Sequence, residues 1–279
     1  MSTSTSPTWP PAGRLDRALA SSHAKGRAAL GLYLPFGYPT RTASLDALQL
    51  MAQSADVLEI GIPYSDPVMD GPVIREAAAQ ALASGFEMHD VFTATSELTT
   101  STSAALMVMS YWAPIAQYGI EPFTKQLAAA GGSGVLIPDP PPSAADAWRA
   151  AAASVGLHTI PLIPAHASTT HLAAIGASHS GMAYAPATPG LTGSQSPLSP
   201  DLPRLVHRLR TATHLPVAVG IGISTPDQAA QASAYADAVV VGSAVIRRMR
   251  DQPHAPATAA AEIARDFAAA VRRARRSAA

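Results

Sequence analysis

Residues 55–84 read ADVLEIGIPYSDPVMDGPVIREAAAQALAS, and they show most clearly the pattern that repeats along the chain. The run over 55–60 is short and rich in apolar residues, which is typical of a buried β-strand. The alanine-rich stretch over 73–84 has helical spacing. The loop between them contains prolines and is longer than a tight strand–helix turn. This segment therefore predicts a strand, a long loop and a helix, in that order.

The same alternation continues along the rest of the chain. Further short apolar runs lie near 29–35, 104–109, 133–137, 157–163, 181–185, 216–220 and 237–241. Stretches with helical spacing lie between them, for example over 43–53, 121–130, 143–154, 168–177, 201–211 and 225–233. Alternating strands and helices predict a parallel sheet. About eight such units favour an α/β fold closed into a (β/α)8 TIM barrel. A doubly wound open sheet is the alternative that the pattern alone leaves open.

A single domain accounts for nearly the whole chain. A barrel of this kind takes about 250 residues, and the chain has 279. Residues 1–12 are rich in Ser, Thr and Pro, which predicts a flexible N-terminal segment. No linker divides the remainder, so we expect residues 13–279 to form one barrel domain.

The composition excludes several classes of protein. Hydrophobic residues make up 48% of the chain and charged residues 14%, which fits a folded core rather than wholesale disorder. The formal net charge is +0, so no overall field favours nucleic acid or a membrane surface. The absence of cysteine excludes disulfides and thiolate catalysis. Neither a membrane-length apolar run nor an export signal is found, so we expect a soluble cytoplasmic protein.

Candidate catalytic carboxyl groups lie in the second predicted strand and in the loop after it. Active sites of these barrels are built where the strands end, and Glu59 lies there among apolar neighbours. Partial desolvation would raise the pKa of its carboxyl and suit it to acid–base catalysis. A structural carboxylate paired with a basic residue is the alternative. Asp66 and Asp70 lie in the following loop, where capping a turn is as compatible with each as catalysis.

Glycine-rich segments follow the last three predicted strands. Gly220 to Ser224 follows the seventh strand and Gly242 to Ala244 the eighth, which are the recurrent phosphate-binding loops of such barrels. Neither motif contains Lys or Arg, so we expect backbone N–H groups to hold a phosphate, with plain turn formation as the alternative. A third segment, Pro189 to Gly193, belongs to a stretch over 185–200 that is rich in Pro, Ser, Thr and Gly. That composition predicts a mobile loop over the mouth or, alternatively, a disordered insertion.

Other common active-site patterns are missing from the sequence. His166 and His171 do not have the spacing of metal ligands, and surface positions explain them better. Lys25 and Lys125 fall in predicted helices or loops, which disfavours an aldolase that acts through a Schiff base. Cleavage of a carbon–carbon bond would then need acid–base catalysis without a covalent amine.

The motifs together resemble the tryptophan synthase alpha subunit family. The matching segments are LEIGIPYSDPVMDGP at 58–72, YLPFGYP at 33–39, LIPDPP at 136–141 with Asp139, Tyr184 with Gly190 to Gly193, and both glycine motifs. They occur in the family's order over about residues 28–248. This resemblance is specific, and it implies the barrel rather than the open sheet.

The resemblance implies a reaction and a set of site residues. The reaction is retro-aldol cleavage of indole-3-glycerol phosphate to indole and glyceraldehyde 3-phosphate. Glu59 would be the acid–base residue, and Asp70 would accept a hydrogen bond from the indole N–H. Tyr33 and Tyr184 would contact the substrate, and Thr192 would contact Asp70 when the loops close. Phosphate would be held by backbone N–H groups of Gly193, Gly222, Gly242 and Ser243. No metal or organic cofactor is implied.

The resemblance also implies a partner, the beta subunit of tryptophan synthase, and two departures bear on it. Relatives commonly carry an asparagine at the beta-subunit contact surface, where this chain has Ala113. The loop over 185–200 lacks the Ser and Arg that are common before the glycine motif, and it has more proline. These changes leave Glu59 and Asp70 intact. The alternatives to an alpha subunit are a stand-alone indole-3-glycerol phosphate lyase that releases free indole, and a non-catalytic regulatory subunit.

Overall fold

Parallel β-strands form the centre of the molecule. The computed structural model describes residues 13–188, 190, 192–193 and 196–274. Within these residues there are eight strands, β1 to β8, with the bounds Ala29–Pro35, Val57–Gly61, Ala105–Met109, Gly134–Leu136, His158–Ile160, Ala183–Pro186, Val217–Gly220 and Ala238–Val241. Each strand overlaps one of the apolar runs, so the predicted strand positions are confirmed.

The sheet closes on itself between its two end strands. Its strands are ordered β5-β4-β3-β2-β1-β8-β7-β6. Leu162, just after β5, forms a parallel bridge with Tyr184 of β6. The N–H of Ile163 donates to the carbonyl of Tyr184 at 2.8 Å. These contacts connect β5 to β6 and complete the ring. The predicted (β/α)8 TIM barrel is confirmed, and the open-sheet alternative is wrong.

The fifth strand is shorter than the run over 157–163 predicts. It ends at Ile160 because Pro161 has no N–H to donate to the ladder. The carbonyl of Pro161 still accepts the N–H of Tyr184 at 3.0 Å, so pairing resumes beyond the proline.

Helices cover the outside of the barrel. In the described residues α1 to α12 span Arg14–Ala24, Arg41–Met51, Pro72–Ala83, Met88–Ser101, Trp112–Tyr118, Ile120–Ala129, Pro142–Ser154, Thr169–Ser178, Leu202–Ala212, Pro226–Ser233, Ser243–Asp251 and Pro256–Arg273. Local signals set some of their starts. The hydroxyl of Thr225 accepts the N–H of Gln228 at 3.2 Å, and Pro226 occupies the first turn of α10.

The first helix closes the N-terminal end of the barrel. Leu15 and Leu19 are fully buried in the same apolar cluster as the first residues of several strands. Asp16 accepts the N–H of Gly13 at 2.9 Å and lies 3.2 Å from Nε2 of His158. With this end filled, the opposite end of the barrel is left for a site.

Some predictions fall outside the described residues. These are the flexible segment over 1–12, together with Pro189 and Leu191 of the mouth loop. The extent of the domain over 13–279 therefore stays a prediction. Among the helices of the described residues, none combines the length and the apolar character that crossing a membrane requires.

Candidate active site

A cavity of about 610 Å³, counted with its open mouth, lies at the C-terminal ends of the strands. Its wall carries the carboxyl groups of Glu59 and Asp70 and the glycine segments after β7 and β8. The apolar part of the wall includes Ile74, Met109, Leu136, Leu162, Ile223 and Val240. A largely apolar cavity with a few polar groups in its wall suits a small organic ligand.

Glu59 is held inside the barrel by the pairing of β2 with its neighbours. It lies opposite Tyr33 of β1 and Met107 of β3, and only 4% of its surface is exposed. The pKa of Glu59 is raised to about 8, chiefly by burial and secondarily by the charge of Asp70. Because this pKa lies above neutrality, the carboxyl can donate a proton at neutral pH.

Asp70 is buried at the end of the loop between β2 and α3. Burial raises its pKa to about 6, while a hydrogen bond from Tyr111 and the charge of Arg75 oppose that rise. Asp70 is therefore largely ionised at neutral pH, where Glu59 is largely protonated. Asp66 of the same loop is exposed. The two aspartates, for which the sequence gives the same alternatives, therefore differ in burial.

Tyr111 is a site residue that the sequence analysis missed. It lies two residues after the end of β3 and is buried. Its hydroxyl accepts the N–H of Met69 at 3.0 Å and donates to the carboxylate of Asp70. Burial, followed by the charge of Asp70, raises the pKa of Tyr111, so its hydroxyl stays protonated and available as a donor. Its place at a strand's C-terminal end was the one available signal.

Tyr33 and Tyr184 fit inside the cavity because glycines leave room for their rings. A Cβ on Gly61 would lie 2.4 Å from Oη of Tyr33, and a Cβ on Gly242 would lie 2.8 Å from its Cδ1. A Cβ on Gly220 would lie 1.9 Å from Oη of Tyr184. These three glycines are therefore required for packing the rings. Burial, with the charges of the two carboxyl groups, raises the pKa of both tyrosines and keeps them neutral.

The glycine segments after β6, β7 and β8 meet at one side of the mouth. Gly222, Gly242 and Ser243 line the cavity. A Cβ on Gly193 would lie 3.5 Å from Cβ of Ser243, so Gly193 is next to them. Gly242 is the N-cap of α11, and the first N–H groups of a helix have no partner within it. The structure thus brings together all four residues that the sequence analysis assigns to phosphate.

A strained residue lies between the glycines after β7. Ile221 has a φ of +55°, a left-handed conformation that β-branched residues rarely adopt. Its carbonyl accepts hydrogen bonds from the N–H of Thr188 at 3.1 Å and from the Thr188 hydroxyl at 3.2 Å. A Cβ on Gly222 would lie 2.1 Å from Oγ1 of Thr188. Thr188 therefore holds the loop after β7 against the start of the mouth loop.

Thr192 connects the mouth loop to the loop after β2. Its hydroxyl accepts the N–H of Gly71 at 2.8 Å. Its own N–H donates to the carbonyl of Met69 at 3.4 Å. Thr192 is predicted to contact Asp70; in the structure its hydroxyl accepts the N–H of Gly71, the residue that follows Asp70.

Comparison with known proteins agrees with this geometry. The family model for the tryptophan synthase alpha chain matches residues 19–274, which include every site residue described above. The chain belongs to the tryptophan synthase alpha chain family. The tryptophan synthase alpha chain of Streptomyces coelicolor is 42% identical over 240 residues, covering 86% of this chain and 89% of the relative. That of Salinispora tropica is 42% identical over 262 residues, covering 93% and 98%.

Solved structures of this family have the same fold. A structure of Mycobacterium tuberculosis tryptophan synthase superposes with a TM-score of 0.86 at 38% identity, covering 94% of this chain and 99% of that one. The tryptophan synthase alpha subunit of Legionella pneumophila gives a TM-score of 0.84 at 31% identity, covering 93% and 98%. The fold that this chain shares with the family therefore extends over nearly its whole length.

Proposed function

We propose that this chain cleaves indole-3-glycerol phosphate to indole and glyceraldehyde 3-phosphate in tryptophan biosynthesis. The observation that carries the proposal is the pair of buried carboxyl groups, Glu59 and Asp70, whose pKa values of about 8 and about 6 differ. Near neutral pH one is a proton donor and the other an anion. An acid and an anion in one apolar cavity are what a retro-aldol cleavage of an indole compound needs.

The first step is proton transfer to the indole ring. The carboxyl of Glu59 donates its proton to C3, and the ring nitrogen becomes positively charged. The carboxylate of Asp70 accepts a hydrogen bond from the ring N–H and stabilises this charge. Tyr111 would act as a positioning residue here, because its hydroxyl donates to the carboxylate of Asp70.

The second step breaks the carbon–carbon bond. The carboxylate of Glu59 takes the proton from the side-chain hydroxyl next to the ring. The electrons of the O–H bond form the aldehyde C=O, the bond to C3 breaks, and its electron pair restores the aromatic ring. Glu59 ends protonated, so it is ready for another cycle, and no covalent intermediate with the protein is required.

The wall of the cavity offers contacts to both the indole ring and the phosphate of this substrate. The indole ring would lie against the apolar wall, with Tyr33 and Tyr184 as further contacts. The phosphate would be bound by backbone N–H groups of Gly193, Gly222, Gly242 and Ser243. Peptide N–H groups at a helix start are favourable partners of a dianion, which supports the glycine cluster as the phosphate site.

The name of the relatives, alpha chain, points to a beta subunit as the partner that receives the indole. Ala113 is exposed in α5, as a contact position requires. A stand-alone lyase is a second candidate function. It is favoured by the hydrogen bond between Gly71 and Thr192, which joins the two loops over the cavity within one chain.

Product analysis with the purified chain tests this proposal. Incubation with indole-3-glycerol phosphate should release indole and glyceraldehyde 3-phosphate in equal amounts. A large rise in rate on adding the cognate beta subunit, with a stable complex in size-exclusion chromatography, would favour the synthase subunit. Efficient turnover alone with no complex would favour the stand-alone lyase. No turnover under either condition would contradict the proposal and favour a regulatory subunit.

A further inference from the structure

Arg247 lies at the edge of the glycine cluster, outside the motifs in which the sequence analysis found no basic residue. It is four residues after Ser243 in α11, so the two residues share a face of the helix. Its Nη1 donates to the carbonyl of Gly193 at 3.4 Å. A Cβ on Gly193 would lie 3.7 Å from this nitrogen and 3.7 Å from Oγ of Ser243. Arg247 and Ser243 thus contact the same glycine of the mouth loop.

Within the described residues, Arg247 makes no close ion pair of the kind that its basic neighbours in α11 make. Arg248 lies 2.9 Å from the carboxylate of Glu262, and Arg250 lies 3.3 Å from that of Glu76. Within the part of the chain that the structure describes, no carboxylate lies within ion-pair distance of Arg247. Burial and the nearby charge of Arg250 lower the pKa of Arg247, and the charge of Asp251 opposes this shift only in part.

A guanidinium has five N–H donors, and only one is directed to Gly193. A phosphate monoester carries up to two negative charges near neutral pH. Backbone N–H groups supply hydrogen bonds and partial charge, but they do not neutralise a dianion. The site that we assign to phosphate therefore has a charge requirement that Arg247 is placed to meet.

We propose that Arg247 binds and selects the phosphate-bearing end of the substrate, by holding Gly193 in place and by supplying the positive charge beside it. This inference rests on the proposed function, because it assigns the phosphate to the glycine cluster. The phosphate site would then consist of backbone N–H groups and one cationic side chain.

Two probes separate this role from general packing. Affinity should be measured by calorimetry for glycerol 3-phosphate, which carries the charge, and for indole, which does not. The variant Arg247→Met keeps much of the side-chain volume and removes the charge. It should bind glycerol 3-phosphate about tenfold more weakly or worse, with little change for indole. Turnover of indole-3-glycerol phosphate should show a raised KM with a smaller change in kcat.

The matched control is Arg248→Met, which removes the neighbouring cation of the same helix. It should leave affinity for both probes near the wild-type value. Unchanged affinity of Arg247→Met for glycerol 3-phosphate, or equal weakening for both probes, would overturn the proposal.

A second variant covers the case in which Arg247→Met does not fold. Arg247→Lys keeps the charge but has a single ammonium instead of a planar fork. It should lose a smaller part of the affinity for glycerol 3-phosphate, and wild-type affinity would overturn the role of the bond to Gly193. These measurements need no turnover. A wild-type chain that binds glycerol 3-phosphate through Arg247 but releases no indole would contradict the proposed function and leave this inference standing.

Discussion

Gly71 and Thr192 are in contact so closely that no side chain fits between them. A Cβ on Gly71 would lie 1.9 Å from the carbonyl oxygen of Thr192. Gly71 follows Asp70 and is the N-cap of α3, while Thr192 belongs to the mouth loop. The contact therefore joins the loop that carries Asp70 to the loop that carries Gly193 of the proposed phosphate site. Closed loops of this kind exclude water from a reacting centre.

Breaking this contact should slow cleavage without unfolding the barrel. Gly71 has a φ of −81°, so alanine is compatible with its backbone, yet its Cβ would displace Thr192. We expect Gly71→Ala and Thr192→Val each to lower kcat by about tenfold or more, and to leave the melting temperature nearly unchanged. Thr192→Ser retains the hydroxyl and is the control. Loss of activity in Thr192→Ser equal to that in Thr192→Val would argue against the hydrogen bond as the cause.

Tyr111→Phe should change how activity depends on pH. In the wild type we expect kcat/KM to rise as Asp70 ionises near pH 6 and to fall as Glu59 loses its proton near pH 8. The hydrogen bond from Tyr111 lowers the pKa of Asp70. Its removal should therefore move the acid limb to higher pH and reduce the maximum about tenfold.

Tyr64→Phe is the matched control for Tyr111→Phe, because the two rings lie only 5.5 Å apart. It should keep the acid limb of the wild type. If Tyr111→Phe lowers kcat/KM equally at every pH and leaves both apparent pKa values of the profile unchanged, Tyr111 does not act through Asp70.

Glu59→Gln should stabilise the fold at high pH. The pKa of Glu59 is raised from 4.5 to about 8, so between these values the native state binds more protons than the unfolded state. Stability that depends on the neutral carboxyl is fully present below about pH 4.5 and is lost as the pH rises through 8. Glutamine is always neutral. The melting temperature of Glu59→Gln minus that of the wild type should therefore increase between pH 5 and pH 9, by roughly 5 °C or more. A difference that is constant over this range would contradict the raised pKa.

The strands and the barrel could be predicted because parallel strands in an α/β protein are buried on both faces. Runs such as that over 237–241 are almost wholly apolar, and they are hard to confuse with exposed segments. The end of β5 was less predictable, since Pro161 interrupts the ladder while its carbonyl still takes part in closing the barrel. The helix over Met88–Ser101 was not assigned from its sequence, because its four threonines and two serines do not favour a helix.

The candidate site residues could be predicted where the neighbouring sequence indicates their chemistry. Glu59 is a carboxyl in an apolar strand, and glycines after β7 and β8 are a known feature of phosphate sites in barrels. Tyr111 and Arg247 could not be predicted from the sequence, because their roles depend on contacts between residues that are far apart in the chain. Tyr111 reaches Met69, 42 positions earlier in the chain, and Arg247 reaches Gly193, 54 positions earlier. Contacts over such separations leave no motif in the local sequence. The same reason explains why Gly242 was assigned only to phosphate, although it also makes room for Tyr33.

The rate of indole release from saturating indole-3-glycerol phosphate by Glu59→Gln tests whether Glu59 is the acid–base residue. The variant keeps the shape of the side chain and loses the acid–base group. We expect release to fall by at least ~10²–10⁴ relative to the wild type, while the variant still folds and binds glycerol 3-phosphate with unchanged affinity. Near-native indole release by the folded variant would show that Glu59 is not the acid–base residue of the cleavage.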